Sequence, residues 1–441
     1  MKITDDPMIK EHPNGLPFTF IDLFAGCGGF SLGLKSAGMM CQMAVEIDAD
    51  ACETYRANLG DHIVCEDVRK IDTNNVPKCD VLVGGFPCQP FSISGLQEGF
   101  DGKGGDLFHE CVRVINALRP KVFILENVPG FARLQKGAFL DEAMRILSAV
   151  GYVTDWRILN AADFGVAQTR ERLFMVGNSL GRQNAFPSPM GTRITTFEAI
   201  DDIRHNMMNF ENNEPMRHTD RIKQRFAAVA PGESALDAMK RDPSLGTAKI
   251  TKQCYRRLFA DQPAPTIVAN FVTTTIHYCE DRNLTAREAA RLQSFPDSFV
   301  FKGLKTRMSW QKGLSQFEQI GNAVPPKLAK ALGQAIQRVL SYSTPKADPI
   351  LAEQDLFGFT KPIPQAEPQN DQGNRKRGRK SRFASIYNTI QSAPMGKPVT
   401  LPKELPAEFF VFLDGAMRRR QITFKLERLS DGTAILTKKD S

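Results

Sequence analysis

No CxxC pair and no His/Cys cluster occurs in this sequence, which argues against a structural zinc site. Its nine cysteines, an odd number scattered over 441 residues, do not make a disulfide framework. No uninterrupted apolar run approaches membrane-spanning length, so no membrane segment is expected. The first residues carry Asp5, Asp6 and Glu11 with no apolar h-region, and nothing there points to export. These absences describe a reducing, cytoplasmic setting in which most thiols, such as Cys41, Cys52, Cys79 and Cys111, are simply buried. No metal site is expected.

What is present is a net charge of +8, unevenly placed. Residues 375–441 hold fifteen Lys or Arg against six Asp or Glu, while 344–374 hold two against five. The first 343 residues are therefore close to neutral. A basic total invites a nucleic-acid hypothesis, but here it mainly describes the tail. For the main body the case has to come from chemistry.

From Phe18 to about Gly177 short apolar runs alternate with helical patterns. The runs are Phe20-Ile21, Met43-Ala44-Val45, Val81-Leu82-Val83, Val122-Phe123-Ile124-Leu125 and Leu173-Phe174-Met175-Val176. Continuous rather than alternating hydrophobicity predicts strands covered on both faces, hence an α/β fold with a largely parallel sheet. In such sheets ligands bind beyond the carboxyl ends of the strands. Gly26, Glu46, Cys88 and Glu126 all fall there. The spacing predicts five segments: 1–177, the α/β body; 178–283, an irregular domain; 284–343, returning helices; 344–382, a linker ending in a basic run; and 383–441, a small α+β module. Thr285 and Glu288 read as a capping box, and Pro326 opens a helix whose Leu328, Leu332, Ile336, Val339 and Leu340 make one apolar stripe. In the last module 406–417 reads as helix, and "QITFKLERL" and "TAILTK" as strands joined by a turn at Ser430-Asp431-Gly432.

"FIDLFAGCGGFSLGL" reads as strand, glycine loop and helix, though Gly26, Gly28 and Gly29 do not match G-x-G-x-x-G. The glycines let backbone approach a ligand, and Glu46, 20 residues after Gly26, stands where an acid can hold ribose hydroxyls. A tight turn with no ligand is the alternative. "VLVGGFPCQPFSIS" places Cys88 between Pro87 and Pro90, so the thiol is held in an extended, stiffened backbone at a strand mouth. "LENV", with Glu126 and Asn127, and "QTRER", with Gln168, Arg170 and Arg172, stand at further strand ends. Each alone is a capping acid or a solvated charge cluster. A thiol, an acid and two guanidiniums on three strand edges point to nucleophilic catalysis.

Together "DLFAGCGGF", "GGFPCQPFS", "ENV", "QTRER", "REAARLQSFPD" and "QIGNAVPP" resemble, in order, the motifs of DNA (cytosine-5)-methyltransferases of the bacterial restriction-modification type, over about 18–343. The resemblance implies a Rossmann-like methyltransferase domain, S-adenosyl-L-methionine as cofactor, and double-stranded DNA as substrate. It implies Cys88 as the nucleophile on cytosine carbon 6, Glu126 as the acid on the base's N3 and amine, and Arg170 and Arg172 as cations on the ring oxygen and nearby phosphate. Glu126 is then expected to have a raised pKa. The base must leave the duplex, with the glycine-rich 95–105 segment closing over it and Ser94 reaching into the gap. For the cofactor it implicates Phe24, Gly26, Gly28, Glu46, Ile47, Asp67, Val68, Pro87, Leu107, Asn322 and Val324; Ile47 stands where relatives often carry an aromatic residue. The 178–283 segment becomes a target-recognition region, with Tyr255, Arg256, Arg257 and Gln168 as DNA contacts.

A cognate restriction endonuclease is a further implied partner. "EQDLF" at 353–357 resembles the peptides that dock bacterial enzymes on the replication sliding clamp, departing from that pattern at its first two positions. A nucleoid-associated location follows from DNA as substrate. Two alternatives stay open: an RNA cytosine methyltransferase of related sequence, and a non-catalytic DNA-binding protein on the same scaffold. A thiol hydrolase or redox enzyme lacks the neighbouring histidine or second cysteine it needs.

Overall fold

The computed structural model describes residues 16–87, 106–205, 209–246, 255–269, 274–306 and 311–341, together with three C-terminal strands. Cys88, Ser94, the 95–105 arm, the linker with "EQDLF", the basic run, the 406–417 helix and the Ser430-Asp431-Gly432 turn lie outside the described residues. The chain divides into two compact units, 1–351 and 352–441.

In the first unit β1 (Thr19–Leu23), α1 (Gly29–Ser36), β2 (Met40–Glu46), α2 (Ala49–Leu59), β3 (Ile63–Cys65), β4 (Val81–Gly84), α3 (Asp106–Leu118), β5 (Val122–Asn127), α4 (Ala138–Ala149), β6 (Val153–Asn160), β7 (Gln168–Thr169) and β8 (Glu171–Asn178) alternate along the chain. Seven strands form one sheet in the order β3-β2-β1-β4-β5-β8-β6. Neighbours from β3 to β5 pair parallel, and β8 runs antiparallel to both β5 and β6. The Val81–Val83 and Val122–Leu125 runs are buried throughout, because both strands are central and covered on both faces. β6 is an edge strand, and Val153, Trp156 and Ile158 are exposed on it.

The chain continues through α5 (Thr196–Arg204), α6 (Asp220–Ala227), α7 (Ala235–Arg241), β9 (Arg256–Arg257), β10 (Ala264–Pro265), β11 (Thr275–Ile276), α8 (Ala286–Leu292), α9 (Gln316–Asn322) and α10 (Pro326–Ser341). The expected boundary at 178 does not interrupt the packing. Ile200, Ile203, Leu258 and Ile267 share a core with Tyr55, Leu59, Phe295 and Phe301. Among the described residues a satellite core of Phe226, Val229, Ala235, Ala238 and Ile276 belongs to that segment alone. The capping box at the start of α8 is present, with Thr285 Oγ1 accepting from Glu288 N at 3.0 Å and Glu288 Oε2 from Thr285 N at 2.8 Å.

The stripe on α10 finds its partner in α1. Leu328, Leu332 and Ile336 are fully buried against Phe30 and Leu34, each such burial contributing about 1.5–3 kcal/mol. Gly33 makes the approach possible, since a Cβ there would sit 2.4 Å from Ala329 Cβ and 2.5 Å from Pro326 O. The last helix thus returns the chain to the glycine loop at the end of β1. In the second unit β12 (Pro398–Leu401), β13 (Thr423–Arg428) and β14 (Ala434–Lys439) form an antiparallel sheet in the order β12-β14-β13.

Candidate active site

Beyond the carboxyl ends of β1, β2, β4 and β5 lies a cavity of about 490 Å³, a size suited to a small-molecule ligand. Seven residues expected at the cofactor line it: Phe24, Gly26, Glu46, Ile47, Pro87, Asn322 and Val324. So do three of the four expected to act on the base, Glu126, Arg170 and Arg172. Residues 300 positions apart meet here because α9 and α10 fold back beside the glycine loop. Gly29 allows it, since a Cβ there would strike Val324 O at 2.4 Å.

Glu46 ends β2, next to β1 in the sheet, which explains its reach to the loop 20 residues earlier. Its Oε2 accepts from Gly26 N at 2.8 Å, and its Oε1 from Ile47 N and Asp48 N at 2.9 Å each. Burial raises its pKa, and the three N–H donors oppose that rise. Gly26 has φ 55 and open space where a Cβ would stand, so ligand can approach the backbone. Phe24 takes φ 58, an unusual conformation for an aromatic residue and a mark of local constraint. Ile47 is two-thirds exposed on the rim.

Glu126 is the last residue but one of β5, and its Oε1 lies 3.0 Å from Arg172 Nε on β8. Burial raises the carboxyl's pKa, with Arg172 and then Arg170 pulling the other way. Gly85 leaves room for this carboxylate, because a Cβ there would stand 3.2 Å from Oε2. Phe86 and Pro87 also line the cavity, so Cys88 follows directly from its wall.

Lining residues left without a role by sequence reasoning include Asn127, Asp22 and Gln319. Asn127 is buried, and its Nδ2 donates to Phe86 O at 3.2 Å, tying the strand that carries Glu126 to the segment before Cys88. Its place beside Glu126 was the available signal. Asp22, with burial raising its carboxyl to about 7, accepts from Ser31 Oγ at 2.6 Å. Gln319 holds Lys302 O and Leu314 O at 3.1 and 2.9 Å.

Four expected cofactor residues lie outside the lining. Gly28 has φ 98, and a Cβ would meet Leu59 Cδ1 at 2.3 Å, so packing alone demands glycine. Asp67 bonds the Arg69 guanidinium and backbone N, which lowers its pKa to about 2. Val68 is buried, and Leu107 packs on the core that holds Phe86.

Three side chains read as reaching for substrate are instead committed to the protein interior. Gln168 is fully buried, its Nε2 donating to Gln293 Oε1 at 2.9 Å and its Oε1 accepting from Ile267 N at 2.8 Å. Arg257 spends its donors on Val229 O, Phe226 O, His277 O, Glu280 O and Asp281, at 2.7–3.0 Å. Neither faces DNA. Arg170 donates to Ile267 O and Gly321 O at 2.8 Å and to Ala323 O at 3.1 Å. It positions the cavity wall more than it presents a free cation. Arg256 is half-buried and bonds Gly232 O, and Tyr255 stacks near Phe226 at 5.3 Å.

A family model for C-5 cytosine-specific DNA methylases matches residues 18–338. The type II methyltransferase M.DdeI of Desulfomicrobium norvegicum is 37% identical over 364 residues, covering 72% of this chain and 88% of the relative. M.NgoFVII of Neisseria gonorrhoeae is 35% identical, covering 74% and 88%. The solved structure of a putative DNA modification methyltransferase encoded within an E. coli prophage superimposes with a TM-score of 0.58 at 26% identity, covering 74% of this chain and all of that one. The chain belongs to the C-5 cytosine-specific DNA methylases, and its activity is S-adenosylmethionine-dependent methylation of DNA cytosine.

Proposed function

We propose that this enzyme is the modification half of a type II restriction-modification system and that Cys88, Glu126 and Arg172 carry its chemistry. The observation that carries the reading is the Glu126–Arg172 pair at 3.0 Å, set in one cavity with Glu46, Phe24 and the Phe86-Pro87 wall that leads to Cys88. The cavity's size, the carboxylate fixed at Glu46 and the open space before Gly26 fit the cofactor. Glu46, Phe24, Ile47, Asn322 and Val324 would hold it. When bound, S-adenosylmethionine supplies an electrophilic methyl group.

Cytosine carbon 5 is a poor nucleophile until a thiolate adds to carbon 6. Cys88 Sγ forms that bond while Glu126, protonated, donates to N3 and the ring takes up the electron pair at carbon 5. Burial of Glu126 favours its protonated form. Arg172 faces the ring oxygen and favours the Cys88 thiolate. After methylation the carbon-5 proton leaves to a base, and the sulfur departs by elimination. Arg170 positions the Ile267 and Gly321–Ala323 walls around this centre. The duplex must release its target base, with Ser94 filling the gap.

The 178–283 segment serves as the recognition region, with Tyr255 and Arg256 as its candidate contacts. A cognate endonuclease, nucleoid association and clamp docking through 353–357 complete the proposal. A 344–374 peptide that does not bind purified clamp disposes of the last.

The test is covalent trapping on duplexes carrying 5-fluorocytosine, whose fluorine blocks the elimination. The wild-type protein is expected to form a denaturant-stable adduct. Cys88→Ser is expected to form none and to leave DNA unmethylated; full-rate methylation by that variant would overturn the mechanism. Methylation-sensitive sequencing of DNA from expressing cells identifies the site.

A further inference from the structure

The turn that follows Glu126 is not used by this chemistry. Val128 leaves β5 on the cavity rim and is 39% exposed. Phe131 is buried, edge-on to Phe86 at 5.8 Å and to Phe139 at 5.4 Å, and Leu134 packs partly into the same core. With these two turned inward, Arg133, Gln135 and Lys136 are exposed. Gln135 (φ 46, ψ 40) and Lys136 (φ 60, ψ 28) are consecutive left-handed residues ahead of Gly137 (φ 99). Side chains seldom adopt that conformation, so the surrounding packing imposes it, and such strain clusters at sites of function.

Charge points the same way. Residues 128–137 contain two cations and no acid. Arg113, Lys121 and Arg145 nearby in the chain each pair with an acid: Glu110, Asp80 and Glu142. Arg133 and Lys136 have no ion pair or hydrogen bond among the described residues. Two uncommitted cations, three residues apart on a turn fastened to the Phe86 wall, offer a receptor for anionic groups arriving at the rim.

We propose that Arg133 and Lys136 clamp backbone phosphates of the DNA strand whose cytosine enters the cavity. The clamp rests on the reading of duplex DNA as substrate. Swinging a nucleotide out carries its flanking phosphates toward the pocket rim, where this turn stands. Because Phe131 and Leu134 fasten the turn to the core, the ordering cost of the contact falls on the two side chains rather than on the backbone.

The test uses full-length enzyme and plasmid DNA free of cytosine methylation, following kcat/KM for DNA against salt concentration. Each phosphate contact contributes about 0.9 to the slope of log affinity against log salt. The double variant Arg133→Gln/Lys136→Gln is expected to lose about two units of slope and to raise KM for DNA more than it lowers kcat. Its melting temperature and its affinity for S-adenosylmethionine are expected to match wild type. Arg133→Gln alone, outside the left-handed pair, tests the charge without touching the strained backbone and is expected to lose about one unit. Lys136→Gly removes the charge while relieving the backbone and is expected to lose about one unit as well. A wild-type slope in Arg133→Gln and in Lys136→Gly overturns the clamp. Wild-type protein that leaves the plasmid unmethylated would sink the substrate reading instead.

Discussion

Glu46 and Glu126 make an instructive pair. Both end parallel strands of one sheet, both line one cavity, and burial raises the pKa of both. Their partners differ in kind. Glu46 is held by three backbone N–H groups, which bring fixed geometry and no net charge. Glu126 faces the charged guanidinium of Arg172, which also donates to Glu171 O, and no backbone donor is seen at Glu126 among the described residues. On the proposed reading the cofactor side is preset by backbone donors, whereas the base side is a side-chain pair whose hydrogen bonds a substrate can take over.

The sharpest way to break this contrast is Glu126→Gln, which keeps the shape and removes the titrating proton. Single-turnover methylation is expected to fall about 10²–10⁴-fold, with cofactor affinity by calorimetry near wild type. A loss dominated by cofactor affinity would erase the distinction. Glu46→Gln comes next: an amide NH₂ must face at least one of the three N–H donors. Cofactor Kd is expected to rise about 10–100-fold, or about 1.4–2.7 kcal/mol. The pH profile sharpens the point further. If protonated Glu126 is the active form, the rate falls as pH rises through its raised pKa, above the ordinary carboxylate range. That alkaline limb is expected to vanish in Glu126→Gln and to persist in Glu46→Gln. The smallest effect is expected from Gly85→Ala. Its Cβ, 3.2 Å from Oε2, displaces the Glu126 carboxylate by tenths of an ångström. Turnover should drop roughly three- to tenfold with cofactor Kd unchanged.

The central strands were legible because double-sided burial writes itself as uninterrupted Val, Ile, Leu and Phe. β3, with three residues, and β6, an edge strand reading VTDWRILN, carry no such run and escaped notice. Glu126 and Glu46 could be read because the carboxyl ends of parallel strands converge, and Arg172 because it stands at the start of the antiparallel strand beside β5. The inward commitment of Gln168, Arg170 and Arg257 could not. Their partners are carbonyls and amides of distant segments, such as Ile267, Gly321 and His277, and a polar side chain's local sequence holds no trace of them. Gly28 carries a related ambiguity: a glycine demanded by Leu59 looks the same in sequence as one demanded by a ligand.

The reversed direction of β8 has a consequence of its own. The polypeptide delivers Arg170 and Arg172 to the cavity on its way in, then retreats through the sheet until Asn178 lies opposite Val122, at the far end of β5. Everything chemical on that strand is finished before it turns. The connection beyond it therefore starts at the other end of the sheet from the cavity, where Phe186 joins the core and Arg182 donates to Val339 O, so it braces the last helix rather than the reacting centre.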